Sequence, residues 1–248
     1  MSDQTRPSRT AAVIPAAGKG VRLGPGAPKA LRTLSGTPML VHAVRAMAAS
    51  RAVSLVVVVA PPDDVAGVKN VLAEHAMSDR TEVLVVAGGD TRQESVRLGL
   101  DALPEDIDIV LVHDAARPLV PVDTVDGVIE AVRDGAQAVV PALPLADTVN
   151  EVGPAEKGEP EPVVATPERA RLRAVQTPQG FDRDTLVRAH HIVRPDGEGA
   201  TDCAGMVERL GGPVVVVPGH EEAFKVTRPL DLVLAEAVLA RRRANDGF

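Results

Sequence analysis

The chain has 248 residues, 45% of them hydrophobic and 25% charged, a composition too apolar for a disordered protein. Its net charge of −7 and its 1% of aromatic residues disfavour nucleic-acid binding, which uses a basic face and stacking side chains. The longest apolar runs are strand-sized, the chain start is polar and there is one cysteine, so we expect a soluble cytoplasmic protein with no membrane partner.

Short apolar runs rich in β-branched residues alternate with helical patterns, which indicates βαβ units and a mostly parallel sheet. Runs that are nearly continuous in Val, Ile and Leu predict strands buried on both faces. The predicted strands are Ala11–Pro15, Leu55–Ala60, Val83–Ala87, Ile109–His113, Ala138–Ala142 and Val214–Pro218. The length suits a single α/β domain covering residues 1–248.

Helical spacing predicts helices around Thr37–Ala48, Asp63–His75, Thr91–Leu103 and Val122–Asp134, and a last helix that begins at Pro229. Thr91 and Glu94 form a capping box, and Gly135 stands where a helix-ending glycine would. In the last helix, the side chains expected to face inward are Leu230, Leu234, Ala237 and Val238. The pair His190-His191 is expected on a helix surface.

The first strand runs into a glycine-rich loop, Pro15–Arg22, which is followed by Lys29. Small residues let the backbone approach a ligand, and two cations, Arg22 and Lys29, could neutralise a triphosphate. The loop is not a dinucleotide fingerprint, because Leu23 stands where the third glycine should be, and it is not a Walker A loop. A tight turn with incidental solvated cations is the alternative.

A second glycine-rich segment, Gly88–Ser95, follows the third predicted strand and crosses the start of a helix. A helix N-terminus presents free N–H groups, and Asp90 and Ser95 offer polar atoms for the edge of a base. Taken alone, the segment is better explained as an ordinary strand–turn–helix junction in which the glycine pair makes the turn and Thr91 caps the helix.

A third segment, His113–Pro118, follows the fourth predicted strand. A carboxylate at the carboxyl end of a strand, here Asp114, suits a Mg²⁺-phosphate or a ribose hydroxyl. The alternative is a local ion pair between Asp114 and Arg117.

The segment Leu145–Pro178 breaks the alternation, because its middle, Gly153–Pro162, is rich in Pro, Gly and Glu. It is flanked by short β-prone pieces, namely Thr148–Val152, Val163–Thr166 and Arg173–Gln176. This pattern predicts a strand–turn–strand arm that projects from the domain. An arm with little core of its own needs a partner surface, most simply a second copy of the chain.

Several scattered hydroxyls and cations could hold a second anionic substrate, although each alone is as easily a surface residue: Thr148, Arg169, Thr177, Thr201 and Lys225. Cys203 is expected to be a small buried apolar residue. No paired His or Cys spacing indicates a metal site, and no histidine has a Ser or Cys partner for nucleophilic catalysis.

Together these segments resemble the 2-C-methyl-D-erythritol 4-phosphate cytidylyltransferase family of the non-mevalonate isoprenoid pathway. The resemblance follows the family's order over about Ala11 to Ala240. It is carried by Val13–Arg22, Pro28-Lys29, Gly88–Val96, Val112–Pro118, Thr177–Gln179, Thr201-Asp202 and Lys225–Pro229. The run His-Asp-Ala-Ala-Arg-Pro together with Lys-Val-Thr is its most specific part. Departures are Ala30 and Ala223, where the family commonly has Gln and Asn, and a longer arm tip.

The resemblance implies a Rossmann-like, mostly parallel sheet flanked by helices, of the nucleotide-diphospho-sugar transferase type, with a protruding β-arm at residues 145–178. It also implies transfer of the cytidylyl group of CTP to methylerythritol phosphate with release of pyrophosphate, and a requirement for Mg²⁺ held mainly by the CTP phosphates, with Asp114 as a further ligand.

The family's residue roles, carried over to this sequence, divide into three groups. Those at the reacting phosphates would be Arg22, Lys29, Arg169 and Lys225. Those that bind CTP would be Ala16, Ala17, Gly18, Gly20, Gly89, Asp90, Ser95, Asp114, Ala115 and Arg117. Those that bind the second substrate would be Thr148, Arg169, Thr177, Thr201 and Lys225. In the family, the arm residues come from the other subunit of a homodimer.

Two other functions stay open at this point. A cytidylyltransferase acting on another polyol phosphate, such as ribitol phosphate, would share the CTP half of the site. A non-catalytic nucleotide sensor would share the fold, since a fold alone does not fix a function.

Overall fold

The computed structural model describes residues 8–18, 28–75, 77–193 and 202–246. Their strands are β1 (Arg9–Pro15), β2 (Thr33–Leu34), β3 (Thr37–Pro38), β4 (Val53–Ala60), β5 (Glu82–Ala87), β6 (Ile107–Val112), β7 (Ala138–Pro144), β8 (Glu151–Val152), β9 (Val163–Ala165), β10 (Arg173–Val175), β11 (Gln179–Asp182) and β12 (Val214–Pro218). Their α-helices are α1 (Met39–Ala49), α2 (Val65–Ala73), α3 (Arg92–Asp101), α4 (Val122–Arg133), α5 (Arg183–Ile192), α6 (Cys203–Arg209) and α7 (Pro229–Asp246).

The main sheet is mostly parallel, as predicted. Its strands lie in the order β10-β7-β11-β6-β1-β4-β5, and β12 pairs with β7. Strands β6, β1, β4 and β5 are parallel to one another, whereas β10 and β11 run antiparallel to their neighbours. Along the chain, β1 is followed by strands on one side and then by β6 on the other. Ligands of open α/β sheets bind at such a reversal, beyond the carboxyl ends of the strands.

Helices cover both faces of the sheet, and the central strands are buried on both sides as predicted. The same prediction is wrong for β5 and β12, which lie at edges of the sheet and are partly exposed, with Val216 of β12 at 53%. Alternate residues of β1 enter different cores: Ala12 and Ile14 pack with α1, α2 and α4, whereas Ala11 and Val13 pack with α3, α5 and α6. Helix α3 approaches so closely that a Cβ at Gly99 would lie 2.6 Å from Val13 Cγ1. This tight packing fixes the start of α3 beside the end of β1.

The predicted strands and helices are all present, with ends that shift by a few residues. The turn after α4 is formed by Gly135 at φ +105°, a left-handed conformation that glycine adopts without a steric penalty, so its predicted place is confirmed. The piece Arg173–Gln176 was wrongly predicted to belong to the arm. Its residues Arg173–Val175 form β10, because the chain returns to the main sheet there and pairs with the far half of β7.

The predicted inward face of α7 is largely wrong. Leu230 is 75% exposed and Leu234 is 50% exposed, and Ala237 is also exposed, whereas Val238 is buried as predicted. The helix packs on a small core with Leu34, Met39 and Leu119 through a different face, which carries Ala235 and Val238. The buried face of α7 is therefore narrower than its apolar pattern suggests, as is typical of a helix at the edge of a domain.

The arm is a hairpin of β8 and β9, which pair antiparallel with each other. From residue 145 to residue 175 no side chain is buried, and the valines at 152, 163 and 164 are 46% to 59% exposed. The hairpin therefore has no core of its own within this chain.

None of the helices among the described residues is both long enough and apolar enough to span a membrane.

Candidate active site

A cleft of about 280 Å³ lies beyond the carboxyl ends of β1, β5 and β6, at the reversal of strand order. Residues from the turns after these strands meet there with a lysine from the loop before α7. The lining consists of Pro15, Ala16, Ala17, Gly18, Lys29, Ala30, Gly89, Asp90, Thr91, Arg92, Ser95, Asp114, Ala115, Ala116 and Lys225. The cleft combines small side chains that expose backbone with three cationic side chains.

The wall after β1 begins with consecutive small residues. The N–H of Ala16 donates to the carbonyl of Val59 at a distance of 2.8 Å. This bond continues the hydrogen-bond ladder between β1 and β4 and fixes the direction in which the chain leaves β1. Lys29 opens a short 3₁₀ turn, Lys29–Leu31, whose middle residue Ala30 is buried. This buried anchor places the Lys29 side chain at the cleft.

The wall after β5 is held by the first turn of α3. The hydroxyl of Thr91 accepts from the N–H of Glu94 (3.0 Å), so half of the predicted capping box is confirmed. The other half is not formed, because the Glu94 carboxylate accepts from the N–H of Asp90 (2.9 Å) and not from that of Thr91. The buried Ser95 hydroxyl accepts from the N–H of Gly89 at 3.2 Å. A Cβ at Gly88 would lie 2.9 Å from that hydroxyl, so the turn requires glycine there.

The wall after β6 is centred on Asp114, whose carboxylate lies between two cations. One oxygen accepts from Lys225 Nζ at 2.6 Å and the other from an Arg92 terminal nitrogen at 3.2 Å. The Asp114 side chain is only 12% exposed. Burial opposes its ionisation, but the charges of Arg92 and Lys225 outweigh burial and hold the pKa of Asp114 well below its usual range. Asp114 is therefore an anion at neutral pH.

A buried network beneath Asp114 sets its position. The Asp114 N–H donates to Thr177 Oγ1 (3.1 Å), and this hydroxyl lies 3.0 Å from His113 Nδ1. The Nε2–H of His113 donates to the carbonyl of Arg117 (3.1 Å). Burial lowers the pKa of His113 to about 4, so the imidazole is neutral at pH 7. The Arg117 guanidinium donates to the carbonyl of Ala223 (2.6 Å), which anchors the loop that carries Lys225.

The structure brings together most of the residues predicted for the CTP half of the site. In the cleft lie Ala16, Ala17, Gly18, Lys29, Gly89, Asp90, Ser95, Asp114, Ala115 and Lys225. Arg117 and Thr177 lie behind the lining and do not face the open cleft. Arg117 donates to the backbone carbonyl of Ala223, and the Thr177 hydroxyl contacts His113. Thr148 and Arg169 are exposed on the arm segment, away from the cleft lining. Gly20, Arg22 and Thr201 lie outside the described residues.

Arg92 was not among the predicted site residues, although it lies in Gly88–Val96, one of the segments that carry the family resemblance. It is the first residue of α3, and behind it lies Cys203, which is 1% exposed and so confirms the predicted burial. His190 Nε2 lies 3.6 Å from the Cys203 sulfur. The prediction of a surface position for His190 is wrong, because α5 packs on α6 and leaves His190 6% exposed.

The cleft offers binding and electrostatic stabilisation rather than proton transfer. Lys29, Arg92 and Lys225 supply positive charge, and the loops supply backbone N–H groups, which together suit an anionic phosphate chain. The buried His113 is engaged at both ring nitrogens and titrates far below neutral pH. No group of three or more His, Cys, Asp or Glu side chains that could hold a metal occurs in the described part of the chain.

Comparison with known proteins gives a consistent result. Residues 10–241 match the family model described as IspD: 2-C-methyl-D-erythritol 4-phosphate cytidylyltransferase. The chain is 79% identical to the 2-C-methyl-D-erythritol 4-phosphate cytidylyltransferase of Streptomyces avermitilis, over 100% of both proteins.

Solved structures agree. The fold is similar to the crystal structure of the enzyme of that name from Thermus thermophilus, with a TM-score of 0.71 and 36% identity over 93% of this chain and 98% of the other. It is also similar to 4-diphosphocytidyl-2C-methyl-D-erythritol synthase from Anaerococcus prevotii, with a TM-score of 0.78 and 26% identity over 95% of this chain and 100% of the other.

Proposed function

The chain belongs to the 2-C-methyl-D-erythritol 4-phosphate cytidylyltransferase family, and we propose from this premise that it makes CDP-methylerythritol and pyrophosphate from CTP and 2-C-methyl-D-erythritol 4-phosphate, in the cytoplasm, for isoprenoid precursor synthesis. The observation that carries the proposal is the cleft itself. It places Lys29, Asp114 and Lys225 around one space at the reversal of strand order. A nucleoside triphosphate fits such a space, because the cations neutralise its phosphates and the small residues let the backbone approach it closely.

In the proposed reaction, a phosphate oxygen of methylerythritol phosphate attacks the α-phosphorus of CTP. The bond from this phosphorus to the bridging oxygen breaks, and pyrophosphate leaves with the electron pair. Lys29, together with Arg22, which precedes it in the sequence, would stabilise the negative charge that grows on the α-phosphate and the leaving group. Such a contribution accelerates the reaction only to the extent that it is stronger in the transition state than in the ground state.

The reaction needs no general base, because a phosphate monoester already has a free anionic oxygen at neutral pH. This requirement agrees with His113, which is buried, neutral and engaged at both nitrogens. The chemistry then rests on positioning and charge, as is usual in phosphoryl transfer.

The nucleoside end of CTP would lie on the small residues of both glycine-rich turns. Gly89 and Ser95 hold the wall after β5, where Asp90 is exposed at the rim. Backbone N–H groups and Asp90 would contact the cytosine, with Ala16, Ala17, Gly18 and Gly20 on the other side. Asp114, Ala115 and Arg117 would hold the ribose and the triphosphate side, Arg117 by fixing the loop from behind.

The phosphate of the second substrate would bind Lys225 at the open side of the cleft, together with Thr148, Arg169 and Thr201, while the buried Thr177 would contribute from behind by holding the backbone of Asp114. Two of these, Thr148 and Arg169, are on the exposed arm segment. We propose that the arm of a second copy supplies them, so that the active site is shared between the chains of a homodimer. The exposed valines of the hairpin support this proposal, since a partner surface would remove them from water.

A divalent cation, Mg²⁺, is part of the proposal. The described cleft offers Asp114 and Asp90 as carboxylates and no cluster of three or more. This donor set fits Mg²⁺, which proteins commonly bind through one or two carboxylates together with substrate phosphates. When bound, the ion would neutralise phosphate charge; Asp114 is the residue that would contact it.

Release of pyrophosphate from CTP tests the proposal. The purified chain is incubated with Mg²⁺ and CTP, and with methylerythritol phosphate, ribitol phosphate or neither. We expect pyrophosphate and CDP-methylerythritol only with the first polyol phosphate. Faster turnover of ribitol phosphate would indicate the other polyol substrate, and CTP binding without any pyrophosphate would indicate a nucleotide sensor.

A further inference from the structure

Asp114 is shared by two cations that come from different sides of the cleft. Lys225 arrives from the loop before α7 and Arg92 from the start of α3, and each contacts a different carboxylate oxygen. Lys225 is 40% exposed and Arg92 is 36% exposed, whereas Asp114 is 12% exposed. The carboxylate is therefore the buried centre of the trio, and the two cations border the open space.

Arg92 bridges two walls that are not adjacent in the sheet. It follows β5, whereas Asp114 follows β6, and β1 and β4 lie between these strands. The other terminal nitrogen of Arg92 lies 4.0 Å from the Cys203 sulfur. Burial raises the pKa of Cys203 to about 11 and lowers the pKa of His190 to about 4, so both groups are uncharged at neutral pH. The Arg92 charge is thus backed by neutral groups and faces Asp114.

The balance of charge in this trio decides how strongly it attracts an anion. With both cations present, the trio carries a net charge of +1. Without Arg92, the side chains of Lys225 and Asp114 form a neutral pair, and as long as no divalent cation is bound, no second cation of the trio neutralises the carboxylate that holds the ammonium group. An incoming phosphate would then have to compete with Asp114 for Lys225. The ammonium group and the carboxylate are in hydrogen-bond contact, a distance at which their Coulomb attraction is strong.

We propose that Arg92 is a positioning residue that neutralises Asp114 and so leaves Lys225 available to the phosphate of the second substrate. This inference rests on the proposed function, and it assigns a role to a residue that acts through Asp114 rather than on the reacting atoms. It explains why an arginine, whose planar guanidinium has several donors, spans the cleft between an acid and a thiol.

The first test compares Arg92→Met with Arg97→Met. Both variants remove an arginine from α3, but Arg97 is exposed and pairs with Asp101 on the same helix. We expect Arg92→Met to raise KM for methylerythritol phosphate about tenfold, with a smaller change in KM for CTP, while Arg97→Met matches the wild type. Arg92→Lys keeps a cation and should recover most of the loss. An equal rise of both KM values would contradict the inference, because Arg92 would then act on CTP.

The second test asks whether Arg92 acts through Asp114. Binding of methylerythritol phosphate is measured by calorimetry in the presence of a CTP analogue whose α–β bridge resists cleavage, so the variants need not turn over. Arg92→Met should weaken binding about tenfold in the wild-type background and less than twofold in an Asp114→Asn background. A tenfold loss in both backgrounds would overturn the inference. If the wild-type chain bound both ligands but released no pyrophosphate when CTP itself replaced the analogue, the proposed function would fail instead.

Discussion

The cleft and the arm hairpin of β8 and β9 differ in how their residues are positioned. The cleft residues follow strands of the main sheet, of which β1 and β6 are buried on both faces, and hydrogen bonds from the N–H groups of Ala16 and Gly89 hold the turns that carry them. Between residues 145 and 175, by contrast, no side chain is buried. One chain therefore orders by itself the described residues that we propose to bind CTP, whereas Thr148 and Arg169, which we propose to bind the second substrate, lie on a segment without a buried side chain.

This difference predicts that substitutions in the cleft lower kcat, and that substitutions in the arm raise KM for one substrate. The largest effect is expected for Lys29→Ala, which should lower kcat by about 10² or more, as for the loss of one preorganised donor. KM for CTP should change much less, because the lysine contributes most in the transition state. Steady-state kinetics with both substrates measures this. Normal turnover by the variant would remove Lys29 from the proposed mechanism.

Arg169→Ala should impair binding of one substrate, in contrast to Lys29→Ala, which should lower kcat. We expect KM for methylerythritol phosphate to rise about tenfold, as for the loss of one charged contact to a phosphate, with little change in KM for CTP. Arg171→Ala is a matched control, because Arg171 is exposed on the same short turn, Arg169–Arg171. Equal effects of Arg169→Ala on the two substrates would contradict the assignment of the arm to the second substrate.

Mixing the two variants sharpens the comparison further. In a homodimer with shared sites, a Lys29→Ala chain and an Arg169→Ala chain together form one site with both defects and one site with neither. After unfolding and refolding as an equal mixture, and with methylerythritol phosphate well below the wild-type KM, activity should reach about a quarter of the wild-type value, because half of the dimers are mixed and each has one intact site. Activity equal to the average of the two separate variants would indicate that each site is built within one chain.

The last prediction concerns how the stability of the folded chain depends on pH. Burial lowers the pKa of His113 and of His190 from 6.5 to about 4. Between these values the unfolded chain binds more protons than the folded chain, so stability falls as the pH falls. The contribution is at most about 1.4 kcal/mol per pH unit for each histidine.

Urea unfolding at several pH values between about 4.5 and 7, a range chosen to span this titration, measures that slope. His190→Gln should flatten it, whereas the exposed neighbour His191, changed to Gln, should leave it unaltered. The same slope in both variants and the wild type would show that His190 is not the group that resists protonation.

The sequence predicted the main sheet and the turns around the cleft better than the arm. Strands such as β4, which carries an unbroken run of valines, are set by local apolar patterns, and so are the turns that follow them. Strand β11 was not predicted, because four residues with one glycine give no periodic signal, and its antiparallel place between β6 and β7 depends on distant segments. The inward face of α7 was mostly wrong, because apolar spacing cannot indicate which face an edge helix buries.

Within the site, the sequence identified residues by segment but not by partner. Lys225 and Asp114 are 111 residues apart in the chain, and nothing local indicates that they form an ion pair. The role inferred for Arg92 depends on the same fact, since its contacts with Asp114 and Cys203 arise only when three elements pack together. Thr177 was predicted to bind substrate, and its buried hydroxyl instead holds the backbone of Asp114.

The central claim is that the cleft between the turns after β1, β5 and β6 binds the triphosphate of CTP. A crystal structure with CTP and Mg²⁺ tests it most directly. We expect the phosphates within hydrogen-bond distance of Lys29 and beside Asp114, with the cytosine against the wall that carries Gly89 and Ser95. CTP bound at another surface, with solvent around Lys29, would contradict the claim.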